Sequence, residues 1–196
     1  MGHREDLLEG AKRCLLEKGF VRTTARDIVK ESGTNLASIG YHYGSKDALL
    51  AEAYVALIEP MGDGFEAAVG AAGAPRGGGL ERFRETWANV IRSIPEARAI
   101  WMLSLEVVTQ GERLAGVRDL LAKAQVEGRR GLAAMFTGIA ESDLPEDVVD
   151  TEGRFYTTLL NGLMVQWLFD EASATDAEQL TEGLRRVMER VSGAAD

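Results

Sequence analysis

Apolar residues recur along the chain at helical rather than strand spacing. Leu7, Leu8, Ala11, Cys14 and Leu15 form an i, i+3/i+4, i+7 stripe, which predicts an amphipathic helix over 4–18 with Gly19 as its stop. Thr24-Ala-Arg-Asp27 approximates a capping box and opens a short helix, 25–32, that ends at Gly33. Asn35 is placed to cap a helix over 36–43 that ends at Gly44, and Ser45 to cap a longer one from Lys46. Pro60 and Gly62 are expected to interrupt or kink that helix, and Ala74–Gly79 to form a flexible loop. Further helical patterns cover 80–94, 96–110, 112–140, 146–171 and 176–192, punctuated by Pro95 and Pro145. No alternating strand pattern and no internal repeat is present, so the expected fold class is all-α.

Composition narrows the picture. The 196 residues are 45% hydrophobic and 27% charged, the balance of an ordinary globular protein. A chain of this size buries roughly 70% of its unfolded surface. No apolar run reaches the roughly 18 residues of a membrane span, and the N-terminus lacks the apolar region of a secretory signal. With Cys14 as the one cysteine, no internal disulfide forms, and a cytoplasmic location is expected. The charge is uneven. Residues 1–50 hold eight Lys/Arg and seven Asp/Glu, net +1, whereas the other 146 hold 14 and 24, net −10, which together give the −9 of the chain. The acidic total argues against nonspecific polyanion binding by the whole molecule, but not against a nucleic-acid module confined to the N-terminus.

Segment 25–43 has the size of a helix-turn-helix, two short helices about a turn carrying Gly33. On a wheel of 100° per residue, Leu36, Ile39 and Tyr43 share one side of the second helix, and Ala37, Ser38 and Tyr41 the other. The first side suits packing. The second, small and polar, suits hydrogen bonding to base edges in the major groove. His42 lies on the flank within reach of a phosphate, and Lys46 brings charge to the first turn of the next helix. A helical hairpin with a solvated face gives the same spacing, so geometry alone leaves both readings open.

The stretches Gly19–Ile28, Ser32–Asn35 and Ile39–Leu50 together resemble the tetracycline-repressor (TetR) family, a resemblance that covers residues 4–50. It implies a dimeric regulator with an N-terminal three-helix DNA-binding bundle, residues 1–50, and a larger helical ligand-binding and dimerisation domain, residues 51–196. By position, the resemblance implies that Thr24 caps the second helix and touches a phosphate. It implies that Ala37, Ser38 and Tyr41 face bases, and that His42 and Lys46 touch the backbone. Leu36 takes a variable specificity position in the family, although the wheel puts it near the core. Gly40 stands where tyrosine is frequent, Val29 replaces a small alanine and Thr34 a common valine.

The second half offers a dimer surface and a ligand site. The stripe in 146–171 is wider than one neighbouring helix covers, and Gly162 admits a close backbone approach. From this stripe Tyr156, Leu160, Leu163 and Trp167, with Leu180, Leu184, Val187 and Val191 of the last helix, are expected to form a four-helix interface across a two-fold axis. Trp87, Ile91, Trp101, Met102, Leu105, Phe136, Phe155 and Leu159 are the candidate ligand contacts; residues of these types at helical spacing are more often plain core. Glu106 and Asn161 interrupt apolar stripes, and a polar group buried there needs a partner, of which a ligand is one. Glu106 would favour a cationic one.

Catalysis finds no support. The two histidines, His3 and His42, have no cysteine partner, no metal-ligand spacing occurs, and Gly77–Gly79 lacks the surroundings of a phosphate loop. No cofactor and no metal is expected, and Cys14 reads as a small core residue. The function expected is that of a sequence-specific DNA-binding regulator, a repressor released from a palindromic operator by a small molecule. A helical small-molecule-binding protein or enzyme that binds no DNA, and a DNA-binding protein without an effector, are the competing classes.

Overall fold

The computed structural model describes residues 2–71, 79–109 and 118–193, which contain helices and no strand. The elements are α1 (His3–Lys18), α2 (Ala25–Ser32), α3 (Leu36–Tyr43), α4 (Lys46–Ala71), α5 (Gly79–Ser93), α6 (Arg98–Thr109), α7 (Arg118–Thr137), α8 (Glu146–Val148), α9 (Arg154–Phe169) and α10 (Ala177–Gly193). A 3-10 turn, Glu141–Asp143, precedes α8, and a π turn, Val149–Gly153, joins α8 to α9.

The start and stop signals at the N-terminus act as their chemistry dictates. Thr24 Oγ1 accepts from the Asp27 N–H at 3.2 Å, while an Asp27 carboxylate oxygen accepts from the Thr24 N–H at 2.9 Å. Asn35 Oδ1 accepts from the Ser38 N–H, and Ser45 Oγ from the Ala48 N–H. Each bond satisfies an amide that the first turn of a helix leaves without a partner. Gly33 adopts the left-handed conformation after α2, at φ +67°.

Several boundaries differ from expectation. The α4 helix runs on past Pro60 and Gly62, so neither residue ends it. Gly79 opens α5 rather than closing a loop, and residues 74–78 of that expected loop lie outside the described residues. The helix expected over 112–140 is described from Arg118 to Thr137, where Gly138, at φ +74°, ends it; residues 112–117 lie outside the described residues. The run from 146 is helical to Phe169 but contains the π turn, in which Gly153 admits the backbone of α7. A Cβ at Gly153 would fall 2.8 Å from the Arg129 carbonyl oxygen.

The chain forms two compact units, which cross the expected division at 50/51. The first contains residues 1–61 and 98–127. Its core joins Leu7, Ala11 and Leu15 of α1 to Ile28, Ile39, Leu49 and Leu50, and takes in Leu103 and Val107 of α6. Cys14 lies buried in it, and burial pushes its thiol pKa up. The second contains residues 62–97 and 128–196. There Trp87 and Phe83 of α5 meet Phe136 of α7, with ring centroids 5.0 and 5.7 Å away. Phe136 stacks on Tyr156 of α9 at 4.1 Å and 12°. Helix α10 lies along α5, and Arg84 links them through Glu178 at 3.2 Å.

Candidate functional site

Helix α3 has one buried and one bare face. Ile39 and Tyr43 enter the core, and the Tyr43 hydroxyl donates to the Arg4 carbonyl at 2.6 Å, tying the end of α3 to the start of α1. Burial raises the Tyr43 pKa. The bare face consists of Leu36, Ala37, Gly40 and Tyr41, with Tyr41 85% and Leu36 52% exposed. Two residues therefore exchange the places the wheel gave them. Leu36 is not core, and Ser38, 9% exposed, is not on the bare face. The helical period holds, and the buried sector lies roughly 50° round from the one that the apolar character of Leu36 suggests. A Cβ at Gly40 would meet nothing within 4 Å, so this face has room beside the Tyr41 ring. The Tyr41 and His42 rings meet edge to face at 4.8 Å, with His42 half-buried.

The remaining predicted DNA contacts stand beside α3 in the chain. Thr24 is exposed at the start of α2, with its hydroxyl donating to Asp27 at 2.6 Å. Lys18 Nζ, 2.6 Å from Asp27, holds that carboxyl well below the usual carboxylate range, with Thr24 adding to the effect. Lys46 Nζ donates to the Thr23 carbonyl at 3.3 Å and pairs with Asp47 at 3.1 Å. Sequence reasoning passed over Arg26 and Lys30. Both are exposed one helical turn apart on α2, and neither forms an ion pair among the described residues. The i, i+4 spacing of two cations was the available signal.

The ten predicted ligand residues are divided between the two units. Trp101, Met102, Leu105 and Glu106 belong to the first unit, and Trp87, Ile91, Phe136, Phe155, Leu159 and Asn161 to the second. Glu106 offers no free carboxylate to a cation, because its two oxygens accept from the Phe20 and Val21 N–H groups at 2.7 and 2.8 Å. The partner of this half-buried acid is the protein backbone. Met102 and Asn161 are exposed, as is Phe155. Trp87, Ile91 and Phe136 are buried in the second unit, joined by Tyr156, whose pKa burial pushes up to about 12. The Trp87 indole N–H and the Thr86 hydroxyl are buried there without a hydrogen-bond partner among the described residues.

Part of the stripe expected at a dimer surface packs within its own chain. Leu160 and Leu163 (3% exposed) are buried within their own chain, and Tyr156 stacks on Phe136. The neighbouring stripe of α9 is the bare one: Phe155, Thr158, Gly162, Val165 and Phe169, at alternating spacings of three and four. Val165 is 49% and Phe169 90% exposed. A Cβ at Gly162 would meet nothing within 4 Å, so the expected close approach is not made within the chain. On α10, Val187, Met188 and Val191 are exposed, whereas Leu180 and Leu184 are half-buried.

Comparison with known proteins agrees with the helix-turn-helix. Residues 7–53 match the model of bacterial regulatory proteins of the tetR family. The chain is 27% identical to the HTH-type transcriptional repressor AcnR of Corynebacterium glutamicum, over 97% of this chain and 90% of that protein. It is 24% identical to the HTH-type transcriptional regulator BetI of Rhizobium meliloti, over 83% and 76%. Among solved structures, the fold resembles that of the regulator SCO7518 of Streptomyces coelicolor A3(2), with a TM-score of 0.70 at 20% identity over 94% of this chain and 97% of that one. It also resembles the multidrug binding protein EbrR, with a TM-score of 0.68 at 22% identity over 94% and 99%. Among the described residues no cluster of potential metal ligands occurs, and no helix is long and apolar enough to cross a membrane. With α3 presented as it is and residues 7–53 matching as they do, the N-terminal part of the chain is similar to the DNA-binding module of the tetR family of bacterial regulatory proteins, and the chain is a DNA-binding transcriptional regulator rather than an enzyme.

Proposed function

We propose that the protein is a cytoplasmic repressor that binds a palindromic operator as a homodimer and is released by a small molecule. The observation that carries this reading is the bare face of α3, where an exposed phenol stands beside Leu36, Ala37 and Gly40 on a helix fixed at both ends by Asn35 and Tyr43. Small side chains let the helix enter the major groove, Tyr41 hydrogen-bonds a base edge, and Leu36 packs on a thymine methyl. Thr24, His42 and Lys46, with Arg26 and Lys30, contact phosphates and set the register. Residues 1–50 serve as the DNA-binding domain, and 51–196 as the ligand-binding and dimerisation domain.

The exposed stripe of α9 supports the dimer. Its 3-4-3-4 spacing is that of a helix seeking a partner helix, and Gly162 at its middle lets a second backbone come close. Two copies place their recognition helices about 34–36 Å apart, one turn of DNA. Repression is the role that the name of AcnR gives to that protein. EbrR is a multidrug binding protein crystallised with proflavin, which supports a small-molecule effector here. The aromatic cluster around Trp87 supports an apolar, aromatic effector, and the unpartnered Trp87 and Thr86 groups favour one that carries a hydrogen-bond acceptor. Release needs a coupling of only about 1–3 kcal/mol, and it is reciprocal: operator lowers effector affinity by the factor by which effector lowers operator affinity.

The test is selection of bound duplexes from a random-sequence library at fixed salt, followed by footprinting, with Tyr41→Ala in parallel. The expected result is a protected palindrome that the variant no longer protects. Recovery of unselected sequence by the wild type overturns the reading.

A further inference from the structure

We propose that Glu106 is a positioning residue for DNA reading: from α6 its carboxylate clasps the backbone of the α1–α2 turn and fixes the platform on which α2 and α3 stand. This rests on the DNA-reading role of α3. Oε2 accepts from the Phe20 N–H at 2.7 Å and Oε1 from the Val21 N–H at 2.8 Å, so both oxygens are used on consecutive amides some 86 residues away in sequence. Charge-assisted bonds to backbone N–H groups are the stronger kind. The turn is shaped to admit the acid. Gly19 sits at φ +79°, and a Cβ there would fall 2.6 Å from Oε2.

The clasped turn is joined to the reading head without a break. The Thr23 hydroxyl donates to the Gly19 carbonyl at 2.6 Å and lies 3.2 Å from that of Cys14. The Thr23 carbonyl accepts from Lys46 at the start of α4, and Thr24, the next residue, caps α2. Helix α6 is itself anchored. The Tyr54 hydroxyl of α4 donates to Ser104 Oγ at 3.0 Å, two residues before Glu106, and Leu103 and Val107 are buried in the shared core. A shift of α6 thus reaches the α1–α2 turn directly, and not only by way of α4.

The residue type follows from the task. A carboxylate has two acceptors and no donor, whereas glutamine keeps one acceptor and turns an NH2 toward the other amide. The effect on DNA has a sign opposite to that of simple charge. Removing an acid from a DNA-binding protein strengthens electrostatic attraction to phosphate, whereas removing a clasp weakens binding.

The experiment compares the wild type, Glu106→Gln and Glu106→Ala as full-length chains. It measures operator affinity over a salt series, and hydrogen exchange at the Phe20 and Val21 amides. Glu106→Ala is expected to weaken operator binding about tenfold, the scale of one charge-assisted hydrogen bond. Glu106→Gln should fall between it and the wild type. The salt slope should not change, because no phosphate contact is lost, and exchange at Phe20 and Val21 should speed up. Equal or tighter binding by both variants, or unchanged exchange at the two amides, overturns the proposal. If Glu106→Ala does not fold, Glu106→Gln decides by the same two readouts. A wild type that selects no sequence overturns the DNA reading and the positioning role with it, while the exchange measurement on its own still shows whether the clasp forms.

Discussion

The two compact units each bury an apolar core, and differ in the contacts that stand out beside it. In the first, polar side chains reach the backbone: Thr23, Asn35, Tyr43, Ser45 and Glu106 each bond a main-chain group. In the second, stacked and tilted rings of Phe83, Trp87, Phe136 and Tyr156 pack together, and the Trp87 indole N–H and the neighbouring Thr86 hydroxyl have no hydrogen-bond partner among the described residues. Hydrogen bonds are directional and fix angles, whereas ring contacts are broad and tolerate displacement. The first kind suits a helix that must meet DNA in one orientation, and the second suits the guest-accommodating role proposed for that core.

The comparison can be broken in several ways. The largest effect is expected on α9. Val165→Asp places a carboxylate in the proposed dimer face and should weaken dimerisation by about 3 kcal/mol or more, the cost of a charge buried without a partner. Sedimentation should show monomer with unchanged helicity, since Val165 is half exposed in the single chain. An intact dimer would move the interface elsewhere. Trp87→Ala should cost about 3–5 kcal/mol in denaturant unfolding, because the ring is fully buried. Trp101 and the Trp167 of α9 remain as fluorescent reporters, and a loss below 1 kcal/mol would mean that the aromatic cluster is not the core it resembles.

In the first unit, Asn35→Ala should cost about 1 kcal/mol, the ordinary value of an N-cap. Its effect on operator affinity should exceed its effect on melting, because α3 frays at the end that carries Leu36. The Asp27 carboxyl has a depressed pKa in the folded state, so its contribution is present above the unfolded value of about 3.9 and is lost as pH falls through the folded one. The melting difference between wild type and Asp27→Asn should therefore be constant above about pH 5 and shrink in acid. A difference that grew in acid would contradict the pairing with Lys18. Smallest of all, Leu36→Ala should change stability by less than about 0.5 kcal/mol, as for a surface position, while altering operator choice.

Much of this was legible in the sequence, for local reasons. Thr24, Asn35, Ser45 and Gly33 are short-range signals whose partners lie within a few residues, and each stands where its chemistry predicts. The differences lie where an apolar side chain is exposed in the single chain. Leu36 reads as core and the Leu160 and Leu163 row as a surface for a second molecule, yet Leu36 is exposed and Leu160 and Leu163 are buried in their own chain, because a hydrophobicity pattern does not say which row the chain itself covers. Glu106 failed in the other direction. A carboxylate in an apolar stripe signals a buried partner, but nothing local to it names two amides at the far end of α1.

The π turn ahead of α9 bears on how this chain tolerates insertion and deletion. Five residues are taken up where an α-helix would use four, so the helix absorbs one additional residue without losing phase between its two ends. Removing one residue from 149–153 would leave the faces of α9 as they are. Keeping all five and forcing them into ordinary turns would swing every later side chain by roughly a quarter of a circle. That rotation would take Tyr156 off Phe136 and turn the Leu160 and Leu163 row away from its own core. Which row of α9 is offered to a second molecule is thus decided by a backbone irregularity upstream of every residue in the row.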